Sequence, residues 1–215
     1  VTSMADGPIP SGVPLRGREK AHTRQVLAEA ALRLFTERGF DATTLDDVVA
    51  AVAISKPMFF RTFTSKEDVA LAPEKELWSG YVREIEACPL SGPVLAVYQE
   101  ALEVTLAGMD SGWERRFAVS RRLADATPSL TAHSLQHCAE ITRTVVEIVV
   151  ARLGPDVPER VQLHLPLELM VAAWRWALKE WAEGGFDPGR AALQDRMGEA
   201  FSAIPLGMAL TLSLV

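Results

Sequence analysis

The sequence predicts an all-α protein of about nine helices, in which a three-helix head is joined by a fourth helix to a larger helical body. Three observations point there. Apolar residues recur at helical spacing along most of the 215 residues, and Val and Ile fall inside those patterns rather than in alternating runs. Breaks at Gly39, Ser91–Gly92, Asp110–Gly112, Pro128, Gly154–Pro158 and Gly184–Gly185 divide the pattern into helix-length pieces. A composition of 48% hydrophobic and 23% charged residues excludes a disordered chain and suffices for a sizeable core.

Residues 1–15 are rich in Pro, Gly and Ser, and with the basic stretch that follows they read as a disordered arm over 1–19, carrying Arg16 and Arg18 with Lys20 just beyond. They lack a basic start followed by an apolar core, so no signal peptide is expected, and no apolar stretch has membrane-spanning length. The expected location is cytoplasmic, with no membrane partner. Cys88 and Cys138 lie far apart, with no partners at metal-ligand spacing, and read as reduced thiols. His133 and His137 lie one turn apart without a persuasive ligand set, so neither a metal nor a cofactor is expected.

The head spans 20–66. Val26, Leu27, Ala30, Ala31, Leu34 and Phe35 make one helical stripe, which Gly39 ends. Thr44 caps a second helix with Asp47 three residues on, a capping box with Asp in place of Glu. A third helix starts after Ser55 with Pro57 in its first turn, where a missing N–H costs little. Thr64 or Ser65 caps a fourth helix expected to run to about Glu86. The body, 67–215, continues with helices over about 93–109, 113–126, 130–153, 159–183 and 188–203, Pro166 bending or interrupting the fourth of these. The apolar tail IPLGMALTLSLV either packs on the body or is poorly ordered.

Two short helices, 45–51 and 56–62, joined by a tight turn have the layout of a helix-turn-helix, the second helix entering the DNA major groove. The charge distribution fits: net charge is −6, yet residues 16–66 hold nine Lys or Arg against six Asp or Glu, while residues 67–215 hold thirteen against twenty-one. Lys56, Pro57 and Met58 lead the second helix and Arg61 follows one turn on, which places them at base edges. Thr44 and Ser55 at helix starts, with Thr62 and Lys66, are the expected phosphate contacts. Arg16, Arg18 and Lys20 would reach neighbouring backbone or minor groove. Each of these caps and lysines also has an ordinary structural explanation; their ordered combination carries the inference.

The runs AALRLFTERGFDATTLDDVV and AISKPMFFRTFTSKEDV resemble the TetR family of bacterial transcriptional regulators over about Arg24 to Leu71. The pattern departs at three places. Ala53 stands where the family tends to have Gly, Phe60 where it commonly has a phosphate-binding Tyr, and Pro57–Met58 where small or polar residues are usual. Phe60 would then pack or touch sugar atoms. The resemblance implies a helical effector domain with a ligand cavity, and dimerisation through the last two long helices. Pairing also follows from physics, since two heads reading half-sites of a palindromic double-stranded operator sum their free energies.

The expected partner face is Leu167, Val171, Trp174, Leu178 and Trp181 on the 159–183 helix, with Leu193, Met197 and Phe201 on the last, and core packing is the competing role for each. Candidate ligand contacts are Trp78, Tyr81 and Ile85, then Tyr98, Leu102 and Met109, then Phe117 and Leu123, and finally His137, Ile141 and Trp176. These are mostly apolar with a few polar tips, which suits a hydrophobic or amphipathic small molecule. Arg115, Arg116, Arg121 and Arg122 read as a solvated face beside Glu114 and Asp125, with contact to an acidic ligand such as a coenzyme A thioester as the alternative. The expected function is a homodimeric repressor released by such a ligand. An activator, an effector-independent regulator and a helical interaction module with a weakened head are the alternatives. No phosphate loop, GxSxG, HExxH or paired-carboxylate motif indicates an enzyme.

Overall fold

The protein is described by a computed structural model covering residues 15–156, 158–186 and 189–211, with side chains from His22 onward apart from residue 156. The expected arm therefore lies outside the described residues up to position 14, and so do the side chains of Arg16, Arg18 and Lys20 and the last four residues of the tail.

The described residues form ten α-helices and one 3-10 turn, an all-α fold. The head contains α1 (Leu15–Arg38), α2 (Leu45–Ala51), α3 (Lys56–Phe60) and α4 (Lys66–Ala70). The body contains α5 (Ala72–Ala87), α6 (Val94–Ala107), α7 (Trp113–Ala126), α8 (Pro128–Leu153), α9 (Arg160–Glu183) and α10 (Arg190–Met208). α9 runs through Pro166 without a break, and α10 extends through Pro205 into the tail.

The single helix expected from 66 to 86 is two. It breaks at Leu71, because Pro73 has no N–H and opens a new helix. The side chains of α7 hold that break from both sides. The Ser120 hydroxyl donates to the Ala70 carbonyl at 2.6 Å, and the Trp113 indole N–H donates to the Pro73 carbonyl at 2.9 Å.

The caps of the head hold its short helices in place. Thr44 and Asp47 make a reciprocal capping box on α2. Ser55 accepts from the Met58 N–H on α3, and Ser65 from the Asp68 N–H on α4. Asp68 is buried. It accepts from the Thr64 N–H at 2.7 Å and from Lys75 at 2.7 Å. Burial alone would raise its pKa, but these donors and the Lys75 charge outweigh burial and hold it below the usual carboxylate value.

The turn between α2 and α3 is a Schellman motif. The Ile54 N–H donates to the Val49 carbonyl and the Ala53 N–H to that of Ala50, with Ala53 left-handed at φ 52°.

Two apolar clusters form the core. One joins Leu27, Phe35, Phe59 and Phe63 of the head to Ala124 of α7 and Leu130 of α8, so the head shares its core with the body. The other fills the body around Trp78, Trp113, Phe117, Trp174 and Trp181. Trp113 stacks on Phe117 at 4.5 Å.

Replacing Ala53 by Gly removes the left-handed penalty and is expected to raise unfolding free energy by about 1 kcal/mol, measured by chemical denaturation. Asp68→Asn is expected to cost about 2 kcal/mol at neutral pH, because it leaves Lys75 without its counter-charge. The folded-state pKa of Asp68 is depressed, so this contribution is present above the ordinary carboxylate value and lost as pH falls below it. The wild-type advantage over the variant should therefore shrink as pH falls below the ordinary carboxylate value, and an advantage that does not shrink with acidification contradicts the assignment.

Candidate DNA interface and ligand cavity

α3 has two sharply different faces. Phe59 and, just beyond the helix, Phe63 point into the head core with no more than 1% exposure. Ser55, Lys56, Pro57, Met58, Phe60 and Arg61 are exposed on the other face, and Thr44 is exposed at the start of α2. Phe60 keeps more than half its surface in solvent, its ring edge-to-face on Phe59 at 5.5 Å. Two cations of the head, Lys56 and Arg38, are held only by surface ion pairs. Lys56 pairs with Asp46 at 2.9 Å and Arg38 with the half-buried Asp47 at 3.5 Å, the other three side chains being exposed. Such pairs are worth at most about 1 kcal/mol, so a phosphate readily replaces the carboxylate.

Two expected contacts have other partners. Lys66 is turned inward, donating to the Phe40 carbonyl at 2.7 Å and the Thr43 carbonyl at 3.1 Å, with its ammonium over the Phe40 ring. It ties α4 to the loop before α2 instead of facing outward. Thr62 is half-buried; its hydroxyl lies 3.4 Å from the Met58 carbonyl, and its own carbonyl accepts from Arg24.

The residues expected at the dimer face are mostly buried within the chain. Leu167, Val171, Trp174, Trp181, Leu193, Met197 and Phe201 are buried in the chain's own core, and Leu178 packs partly against it. The apolar side chains left in solvent on α9 are Val161, Leu165, Leu169 and Trp176. Beside them on α10 run Ala203, Ile204 and Leu206, and a groove of about 440 Å³ between the helices is lined by Leu169, Trp176, Ala203 and Ile204. Trp176, expected at the ligand, thus belongs to this outer face.

The ligand candidates divide in a similar way. Tyr81, Ile85, Tyr98, Leu102 and Phe117 are packed core, Met109 and Ile141 border it, and Leu123 packs on the head cluster. Burial pushes the Tyr98 hydroxyl up to about 12. His137 is half-buried, and burial lowers its pKa. Trp78 lines a cavity of about 520 Å³ between α5, α7, α8 and α9, with Trp174, Leu135, Cys138 and Leu178 as its other apolar walls. Its polar side is formed by Glu74, Arg121, Asp125, Thr131 and Ser134, with Arg175, Lys179 and Glu183 on α9. Glu74 is buried and accepts from Ser134 at 2.6 Å and from Arg121 at 3.1 Å. Arg121 also holds Asp125 at 2.6 Å.

The four arginines of α7 are therefore no uniform solvated face, since Arg116 is buried against Asp110 and Arg122 covers Phe186. Glu74 was legible as a signal. It falls in register with Trp78, Tyr81 and Ile85, an acid on an apolar stripe. Among the described residues no group of three His, Cys, Asp or Glu is placed to hold a metal. No helix among them is long and apolar enough to cross a membrane.

Residues 27–72 match the family model described as bacterial regulatory proteins, tetR family. The chain is 30% identical over 180 residues to the HTH-type transcriptional regulator TcmR of Streptomyces glaucescens, covering 80% of this chain and 78% of that protein. It is 38% identical over 52 residues to the HTH-type transcriptional repressor ComR of Escherichia coli, covering 24% and 25% of the two chains. The crystal structure of the TetR family transcriptional regulator PfmR from Thermus thermophilus aligns with a TM-score of 0.43 at 19% identity, covering 81% of this chain and 94% of that one.

If Lys56 meets DNA, Lys56→Ala weakens binding at every sequence and lowers the slope of log affinity against log salt by about 1. Fluorescence anisotropy across a salt series checks this, and an unchanged slope would remove Lys56 from the phosphate contacts.

Proposed function

This chain belongs to the TetR family of bacterial regulatory proteins, and from that premise we propose that it is a homodimeric repressor released from its operator by a small molecule held in the α5–α9 cavity. DNA binding and transcriptional regulation come with the family. The observation that carries the finer reading is the pairing of two surfaces with one cavity: the exposed side of α3, the apolar outer face of α9 and α10, and the partly open space between α5, α7, α8 and α9.

In the proposed interface, Leu165, Leu169 and Trp176 of α9 and Leu206 of α10 meet their copies across a two-fold axis. A monomer would leave all of them in solvent, from 38% exposure at Leu169 to 70% at Leu206, and clustered exposed apolar side chains mark interaction surfaces. Thr44, Ser55, Lys56, Pro57, Met58, Phe60 and Arg61 form the proposed DNA-facing surface. Repression needs only that the bound dimer occupy promoter DNA.

The proposed release mechanism uses the shared wall. Glu74, which borders the cavity, is the third residue of α5, and the break that carries α4 and the head lies immediately before that helix. A ligand that shifts this turn changes the separation of the two heads, so they no longer match both half-sites. A coupling of about 3 kcal/mol, roughly a 150-fold loss of affinity, suffices for release.

Trp176→Glu places a charge in the proposed interface. The expected result is a folded monomer by sedimentation with operator affinity lower by at least about 100-fold. A dimer of unchanged stability would move the interface elsewhere. Phe60→Tyr restores a hydroxyl at the exposed edge of α3 and is expected to tighten operator binding by about fivefold, the worth of one hydrogen bond of about 1 kcal/mol. Anisotropy titration of both proteins on one duplex measures it, and equal affinities would place residue 60 away from phosphate.

A further inference from the structure

The polar side of the cavity has a particular charge arrangement. Glu74, buried, and Asp125, half exposed, converge on one guanidinium, that of Arg121. The Ser134 hydroxyl fills a further acceptor site on Glu74. At the outer side Lys179 pairs with Glu183 at 3.7 Å, and Arg175 stands exposed. Trp78, one turn after Glu74 on α5, and Trp174, edge-to-face with it at 6.0 Å, supply the aromatic wall.

These groups select by charge. An anion that reaches the inner wall meets two carboxylates and must take Arg121 from both. A cation meets the same two carboxylates as partners, with indole rings that attract positive charge through their faces. A neutral apolar molecule gains from the indoles, Leu135 and Leu178 but leaves the Glu74–Arg121 pair untouched. A cation of sufficient size fills the apolar volume and replaces the guanidinium on Glu74, so the buried carboxylate is never left without a partner.

We propose that the effector is a lipophilic organic cation, such as a protonated amidine or alkylamine carried on an aromatic ring system, whose charged group displaces Arg121 from Glu74; this rests on the cavity being the effector site. The displacement has a structural consequence. Glu74 joins the first turn of α5 to α7 through Arg121 and to α8 through Ser134. Two further α7 side chains, Ser120 and Trp113, hold the carbonyls of Ala70 and Pro73 on either side of the break. Exchange of Arg121 for ligand removes one of these three ties between α7 and the hinge, which frees α4 and the head it carries to move.

Three tricyclic probes of nearly one shape test the charge rule: 9-aminoacridine, a cation at neutral pH, neutral acridone and anionic acridine-9-carboxylate. Their binding to the full chain without DNA is followed by tryptophan quenching and calorimetry. The cation is expected to bind at least tenfold more tightly than either of the others. Glu74→Gln should remove that advantage while leaving acridone unchanged, and Asp125→Asn should reduce it several-fold. Equal affinities, a preference for the carboxylate, or no binding by any probe would overturn the proposal. The wild-type comparison decides even if Glu74→Gln fails to fold. Release of operator duplex by 9-aminoacridine is compared in wild type and Glu74→Gln, which cancels any direct effect of the dye on DNA. Cation binding through Glu74 without a difference in release would sink the effector-release reading and leave the cation site standing.

Discussion

The break in the helix at Leu71 is the constraint on which the rest of the molecule depends. One uninterrupted helix from Lys66 to Ala87 would carry the head as a rigid extension of the body. Pro73 prevents that, and the carbonyls of Ala70 and Pro73, on either side of the break, accept from Ser120 and Trp113 of α7. A buried carbonyl without a donor is costly, so α7 must stay where it is while the break exists. The same turn carries Asp68, which organises the head, and Glu74, which borders the cavity. The seven residues from Asp68 to Glu74 thus link the cap of a DNA-binding unit to the wall of a ligand-sized space.

The head is rigid for a different reason. Its helices α2, α3 and α4 have only five to seven residues each and would not persist alone. Capping side chains and the shared core around Phe35, Phe59 and Phe63 stabilise them, and Lys66 ties α4 to the carbonyls of Phe40 and Thr43. The exposed side of α3 is left with few structural duties, so its side chains are available for recognition. Ala53 is the one place where the turn keeps a strained residue, and the Schellman hydrogen bonds around it hold the conformation.

Much of this was legible because local chemistry decides it. The bounds of α2 and the starts of α3 and α4 follow from Thr44, Ser55 and Ser65, whose side chains bond N–H groups three residues on. The break at Leu71 was signalled only by Pro73, which also fits inside a first turn and so does not by itself mark a break. The faces of α9 were harder. Val161, Leu165, Leu169 and Trp176 run along one side, and Leu167, Val171, Trp174 and Trp181 along the other. A helix apolar on both sides does not announce which side meets its own chain. Lys66 and the Glu74–Arg121–Ser134 cluster depend on contacts between residues distant in sequence, which no local pattern encodes.

The central claim is that two copies of this chain read one operator through α3. Selection of duplexes from a random pool by the full-length protein, followed by sedimentation of the selected complex, tests it most directly. The account predicts an enriched two-fold symmetric sequence, half-sites about one helical turn or a multiple of it apart, and an even number of protomers on each duplex. Recovery of no sequence preference at low salt, or of a single protomer on a single half-site, would contradict it.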